Sequence, residues 1–179
     1  EWGGAGQPFE VYLQVLEELA ARWAAVAVAV SVHSLSCNPL LSFGTDEQKQ
    51  RWLPGMLSGD QIGAYSLSEP QAGSDAAALN CKATRDSTGY TINGAKAWIT
   101  NAAEADVVVL YAQTQPGSGG RGIAGFVVDG RRAGFVRRPG YALGGQHTIG
   151  TGGFTLDGYV ASDDELLHPP GQAFKAALG

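Results

Sequence analysis

A chain of 179 residues, 44% hydrophobic and 16% charged, can bury one substantial core or two small ones and reads as a soluble globular protein. With 12 Lys and Arg against 17 Asp and Glu, the formal charge of -5 excludes a broad electrostatic footprint for nucleic acid, and 26 glycines argue against a simple helical bundle. Cys37 and Cys81 make neither a metal cluster nor a disulfide framework and read as reduced thiols.

Residues 1–7 are an irregular lead-in. Pro8 suits a first helical position, and Phe9, Tyr12, Leu13, Leu16, Leu19, Ala20, Trp23 and Ala27 recur at helical spacing, which predicts a helix to about His33 with Trp23 in the core. The Ala/Val run at 24–32 lies between Arg22 and His33 and is too short for a membrane span; its low polarity places it between other helices. A second helical stretch runs from Ser36 or Asn38 to Phe43 and stops at Gly44. Thr45-Asp46-Glu47-Gln48 is a capping box for the next helix, whose apolar contacts come from Trp52, Leu53, Met56 and Leu57 and which Pro54-Gly55 should kink or end. Residues 1–60 therefore read as a helical domain.

From residue 61 the period shifts toward two. Strands are predicted at 62–68, 79–85, 90–93, 96–100, 106–113, 122–129, 134–137, 152–157 and 159–160. Asn93-Gly94 is a strong hairpin signal because both residues tolerate positive φ, and 86–89, 115–120 and Asp157-Gly158 supply further turns. The class is α+β. A helical segment precedes an antiparallel, barrel-like or sandwich-like β-domain over 61–165, and 166–179 begins a further helical part that Gly179 can cap. No strand, glycine-rich turn and helix follow one another as a dinucleotide fingerprint requires.

Chemistry concentrates in 61–101. The apolar strand from Ile62 breaks at Ser68-Glu69-Pro70 into the hydroxyl-rich turn Gln71-Ala72-Gly73-Ser74-Asp75, where Gly73 lets the backbone approach a bound group and free N–H groups can meet an anion. Trp98, Ile99 and Thr100 suit the side of a planar ligand, although an ordinary strand core presents the same residues. Glu69, Asp75, Asp106 and Asp129 form no evident acid–base pair, and Glu69 reads as a structural carboxylate. His33, His147 and His168 lack metal-ligand spacing, and Gly73-Ser74 is no nucleophile elbow. Arg121, Arg131, Arg132, Arg137 and Arg138 read chiefly as a solvated β-face, with attraction of an anionic tail as the second reading.

YSLSEPQAGSD (65–75) and NGAKAWITN (93–101) resemble the two hallmark stretches of the acyl-CoA dehydrogenase flavoprotein family. The flanks GTDEQKQRWLPGMLSG, GIAGFVVD and FKAALG are similar as well. Members of that family are longer, so the resemblance implies the N-terminal and middle parts, with the C-terminal helical domain and its catalytic carboxylate base outside this chain. It implies FAD as cofactor, contacted by Tyr65, Leu67, Ser68, Gly73 and Ser74, with Trp98, Ile99 and Thr100 beside the isoalloxazine; Ser74 also falls near acyl-CoA. No residue here is assigned as catalytic. The implied activity is α,β-dehydrogenation of an acyl-CoA thioester by a homo-oligomer (dimer or tetramer) that passes electrons to an electron-transfer flavoprotein. The implied place is the cytoplasm, or the mitochondrial matrix of a eukaryote. Ser68 replaces the expected threonine, and in GGQHTIGTGG (144–153) His147 and Ile149 stand where an arginine and a serine are usual beside the thioester. That departure keeps a flavin monooxygenase or nitroalkane-type oxidase on the same fold as an alternative; a noncatalytic β-sandwich interaction protein is the alternative of another class.

Overall fold

The computed structural model describes residues 2–178. Pro8 stands just before helix α1, Phe9–Phe43, which ends at Gly44. The expected break at residues 33–36 lies earlier: Trp23 leaves helical geometry at φ -154°, ψ 87°, and its ring is 57% exposed rather than in the core. The helix continues through His33 because that side chain is anchored. Its Nδ1 accepts the Gly63 N–H at 2.9 Å, and its Nε2 donates to the Met56 carbonyl at 3.0 Å. The first acceptance makes Nε2 the protonated nitrogen. By length and composition alone α1 is long and apolar enough to cross a membrane, because helix extends the short Ala/Val run on both sides. Its second half buries Ala25, Ala27, Ser36, Cys37 and Leu40 and packs on the sheet and the next helix.

Helix α2, Asp46–Ser58, opens on the expected capping box. Gln48 N–H donates to Thr45 Oγ1 (3.2 Å) and Thr45 N–H donates to Gln48 Oε1 (2.9 Å). Pro54 does not end it; the stop is Gly59, in the left-handed region at φ 83°, where a side chain would be strained. Trp52, Leu53 and Met56 fall on one buried face at helical spacing, while Leu57 is 42% exposed.

The strands are β1 (Gly63–Ser66), β2 (Lys82–Asp86), β3 (Gly89–Ile99), β4 (Val107–Gln113), β5 (Ile123–Asp129), β6 (Phe135–Arg137), β7 (Gly152–Ala161) and β8 (Leu166–His168), followed by helix α3, Ala173–Leu178. Gly179 lies outside the described residues. The α+β class stands, but the sheet is mixed rather than wholly antiparallel: β1 and β2 both run parallel to β4. It is also not a closed barrel, since the order β6-β7-β3-β2-β4-β5-β8 ends on two unpaired edges among the described residues. β4 occupies the centre and is buried throughout, which explains its unbroken apolar run. Its alternate residues serve two cores. Val108, Leu110 and Ala112 join the core shared with β2, β3, β6 and β7. Val107, Val109 and Tyr111 join the one shared with α1, α2 and α3.

Asn93-Gly94 is not a hairpin. β3 runs straight through it and pairs with β7, whose Asp157-Gly158 is likewise inside a strand. The register shifts between Ile92↔Tyr159 and Gly94↔Leu156, so Asn93 faces the extra Asp157-Gly158 pair across a bulge and its Oδ1 accepts the Gly158 N–H at 2.8 Å. Positive φ is used at both places, 152° at Gly94 and 61° at Gly158, without reversing the chain. The hairpin into β3 is instead the expected 86–89 turn. β8, unpredicted, adds to β5.

Candidate functional site

The site forms where the end of β1 meets the end of β3. Beyond Ser66 the chain turns back on itself, with the Glu69 N–H on the Ala72 carbonyl (2.9 Å) and the Ala72 N–H on that of Glu69 (3.1 Å). The Glu69 side chain is 3% exposed and organises the turn from inside. Its Oε2 accepts from the N–H of Asn80 (2.6 Å) and the Gln71 amide (2.7 Å), and its Oε1 accepts from the N–H of Cys81 (2.9 Å) and from Lys96 Nζ (2.8 Å). Burial alone would push this carboxyl up. The charge and hydrogen bond of Lys96, with the Asn80 and Cys81 N–H groups, outweigh that and hold it below the usual carboxylate range. Glu69 is thus structural, as its place at the strand end implied.

Two further bonds join the first stretch to the second: Lys96 Nζ donates to the Leu67 carbonyl at 3.0 Å, and the Ala97 N–H to the Ser68 carbonyl at 3.2 Å. Immediately beyond, the register shifts again between Lys96 and Ile99, and Trp98 takes φ 62°. A bulky residue in the left-handed region is an outlier that costs about 1 kcal/mol. The bulge turns Trp98 outward to 63% exposure while Ala97 and Ile99 on either side stay buried. Tyr141 braces the indole, ring centroids 4.7 Å apart.

On these two stretches polar groups stand open. Among the described residues, the N–H groups of Gly73 and Ser74 and the hydroxyls of Ser68, Ser74 and Thr100 make no hydrogen bond. Gly73 has no positive φ, and a Cβ there would meet nothing within 4 Å, so the fold itself does not require glycine at this place. The other candidates are placed differently. Leu67 is half-buried, with its carbonyl taken by Lys96; Ile99 is 2% exposed and its side chain belongs to the core. Tyr65 points away, its hydroxyl donating to the Ala177 carbonyl (2.9 Å) and accepting from the Tyr111 hydroxyl (3.1 Å), and burial raises its pKa against the opposing Tyr111 bond. Eight expected residues therefore divide into an open group, Ser68, Gly73, Ser74, Trp98 and Thr100, and a supporting group, Tyr65, Leu67 and Ile99.

The segment between β6 and β7 lies over this end. Asn101 N–H donates to the Ile149 carbonyl (3.1 Å) and Tyr141 N–H to that of Thr151 (2.8 Å). His147 is exposed, whereas the Ile149 side chain is buried at 6%. Asn101 itself, at φ 65°, sends its amide to the carbonyls of Ala29 and Gly63, both at 3.1 Å, and so ties the site to α1. The arginines largely serve the fold. Arg137 donates to four carbonyls, from Ala102, Ala103, Ala105 and Gly130; Arg132 grips Glu165; Arg131 pairs with Asp129; and Arg138 bonds Thr155. Cys37 and Cys81 are both buried and free, their thiols pushed up to about 11 chiefly by burial. No group of three or more His, Cys, Asp or Glu that could hold a metal occurs among the described residues.

Sequence reading missed Lys96 and Tyr141. A lysine between Ala95 and Ala97 in an otherwise apolar strand was the available signal for the first. Tyr141 sits in a glycine-rich loop 43 positions from Trp98, and nothing local marks it.

Residues 64–159 match the model of the acyl-CoA dehydrogenase middle domain, and residues 1–60 match that of the N-terminal domain. Over 179 residues the chain is 36% identical to an acyl-CoA dehydrogenase of Bacillus subtilis, covering 99% of this chain and 47% of that one. The acyl-CoA dehydrogenase of Geobacillus kaustophilus superposes with a TM-score of 0.94 at 32% identity, over 99% of this chain and 47% of that chain. A glutaryl-CoA dehydrogenase of Mycobacterium smegmatis, solved in complex with FADH2, gives 0.89 at 32% identity, over 99% and 45%. The chain belongs to the acyl-CoA dehydrogenase family. It spans about half the length of the curated relatives it matches.

Proposed function

We propose that this chain supplies the flavin-holding part of an FAD-dependent oxidoreductase that introduces an α,β double bond into an acyl-CoA thioester. The observation that carries the reading is Trp98, held 63% exposed at φ 62° on a strand end tied through Ala97 to Ser68 of the first stretch. Backbone strain held at one place is characteristic of a functional site. The complex of the Mycobacterium smegmatis relative with FADH2 supports the choice of ligand. When bound, FAD supplies the two-electron chemistry. Trp98 would flank its ring, with the hydroxyls of Ser68 and Thr100 as polar contacts. The N–H groups of Gly73 and Ser74 would meet a phosphate, and Ser74 would also approach acyl-CoA. Tyr65, Leu67 and Ile99 set the backbone from which these groups project.

A base for the α-proton is not drawn from this chain, because Glu69, the carboxylate beside Trp98's strand, is committed to Lys96 and three N–H donors. The 179 residues alone are therefore expected to be inactive. The division at 60/61 and 165/166, a homo-oligomeric assembly and an electron-transfer flavoprotein as acceptor belong to the same reading. So does location in the cytoplasm or mitochondrial matrix; relatives from Homo sapiens and Solanum tuberosum are mitochondrial enzymes by name.

The test uses the full-length protein carrying this sequence. Denaturation should release FAD, and anaerobic addition of short, branched, long or aromatic acyl-CoAs should bleach the flavin and yield an enoyl product. The buried Ile149 and outward His147 make the preferred acyl group an outcome of that screen. Bound flavin that resists every thioester but is reduced by a nitroalkane would overturn the substrate while keeping the cofactor; absence of flavin with FAD in excess would overturn both.

A further inference from the structure

We infer that Lys96 is a positioning residue of the flavin site, tying the end of β3 to the Leu67 and Ser68 backbone so that Trp98 is held in its outward, left-handed conformation. The inference rests on the FAD reading above.

Lys96 is 2% exposed, and the burial of its ammonium is expensive. A buried ion pair is commonly no more stabilising than an apolar replacement, so what such a pair holds in place is the more informative question. The hydrogen-bond accounting answers it. Without Lys96, the Glu69 carboxylate loses its counter-charge but still receives the N–H groups of Asn80 and Cys81 and the Gln71 amide, which keep hydrogen bonds within the turn. Besides that charge, Lys96 contributes the bond to the Leu67 carbonyl. The next residue, Ala97, bonds the next carbonyl, Ser68. Two consecutive residues of β3 thus hold two consecutive carbonyls of the first stretch, directly before Trp98 departs from strand geometry. Past this double tie the β3–β7 pairing resumes only at Ile99↔Gly152, so Ala97 and Trp98 have no partner in the β7 register. The Lys96 tie therefore limits how far the unpaired piece can relax toward ordinary strand geometry, which would withdraw the indole.

The matching control is Arg132–Glu165, a second ion pair with a wholly buried carboxylate, far from Trp98 along the same ribbon. The experiment compares full-length wild type, Lys96→Met and Arg132→Met by FAD titration of the apoprotein, fluorescence of the bound flavin, which a stacked indole quenches, and the melting temperature of the apoprotein. Lys96→Met should raise the FAD Kd about tenfold or more and raise bound-flavin fluorescence about twofold or more, while its apoprotein melting falls, as in the control, because a buried carboxylate loses its counter-charge. Arg132→Met should also lower the melting temperature but leave Kd and fluorescence near wild type. If Lys96→Met does not fold, Lys96→Gln is read on the same scales, with the same expectation. Wild-type Kd and fluorescence in the folded Lys96 variant would overturn the inference and leave the FAD reading intact. Equal flavin defects in both variants would also overturn it, since affinity would then merely follow stability. Wild-type protein that binds no FAD removes the functional reading and this inference with it.

Discussion

Two buried carboxylates stand near opposite ends of the β3–β7 ribbon, roughly 20 Å apart at the usual rise per residue, and their surroundings differ in kind. At one end Glu165, 0% exposed, takes both terminal nitrogens of Arg132 at 2.7 and 2.6 Å and the Ser162 N–H at 3.1 Å, capping its own short turn. Arg132 also serves the Val160 carbonyl, so local polar groups close on one another. At the other end Glu69 and Lys96 are equally buried, yet next to them stand φ 62° at Trp98, φ 65° at Asn101 and a set of hydroxyls and N–H groups without partners. The same device therefore does two jobs. One pair completes a fold; the other braces a piece of backbone that the fold does not favour.

The largest effect that can break this comparison is Glu69→Ala. It leaves a buried ammonium with one carbonyl, and two backbone N–H groups with no acceptor, and should cost about 4 kcal/mol in urea unfolding. Glu165→Ala should cost less, about 2–3 kcal/mol, because the Arg132 side chain is 32% exposed and water can take up its freed donors. A greater loss at Glu165 than at Glu69 would mean that the two ends are held in the same way.

Acid sharpens the contrast. The native pKa of Glu69 lies below its ordinary 4.5, so its contribution is fully present above the unfolded value and is lost as pH falls through the depressed native one. Stability curves below about pH 4.5 should be flatter for Glu69→Gln than for wild type. Parallel curves would show that the pair does not set this slope.

The smallest change in stability should come from the strained residue itself. Trp98→Gly relieves about 1 kcal/mol of backbone cost and forfeits a Tyr141 contact of similar size, so the apoprotein should shift by less than about 1 kcal/mol while FAD affinity falls sharply. A large loss of apoprotein stability would place Trp98 among the structural residues.

Several features were legible without coordinates because their causes are local. The Thr45–Gln48 box is complete within four residues, the buried runs of β4 and β5 are continuous in sequence, and the two stretches around Glu69 and Trp98 carry their chemistry in consecutive positions. Asn93-Gly94 correctly announced a positive φ, at Gly94. Whether positive φ reverses a chain or bulges a strand depends on the partner strand, and here Asn93 meets the Asp157-Gly158 bulge 64 positions along the sequence. Helix periodicity at Trp23 likewise said nothing of the break that turns its ring to solvent. Tertiary structure alone decided that β1 and β2 run parallel to β4, that Lys96 reaches Leu67, and that Trp98 faces outward while Tyr65 faces in. Each of these is an outcome of long-range pairing, which local propensities permit but do not specify.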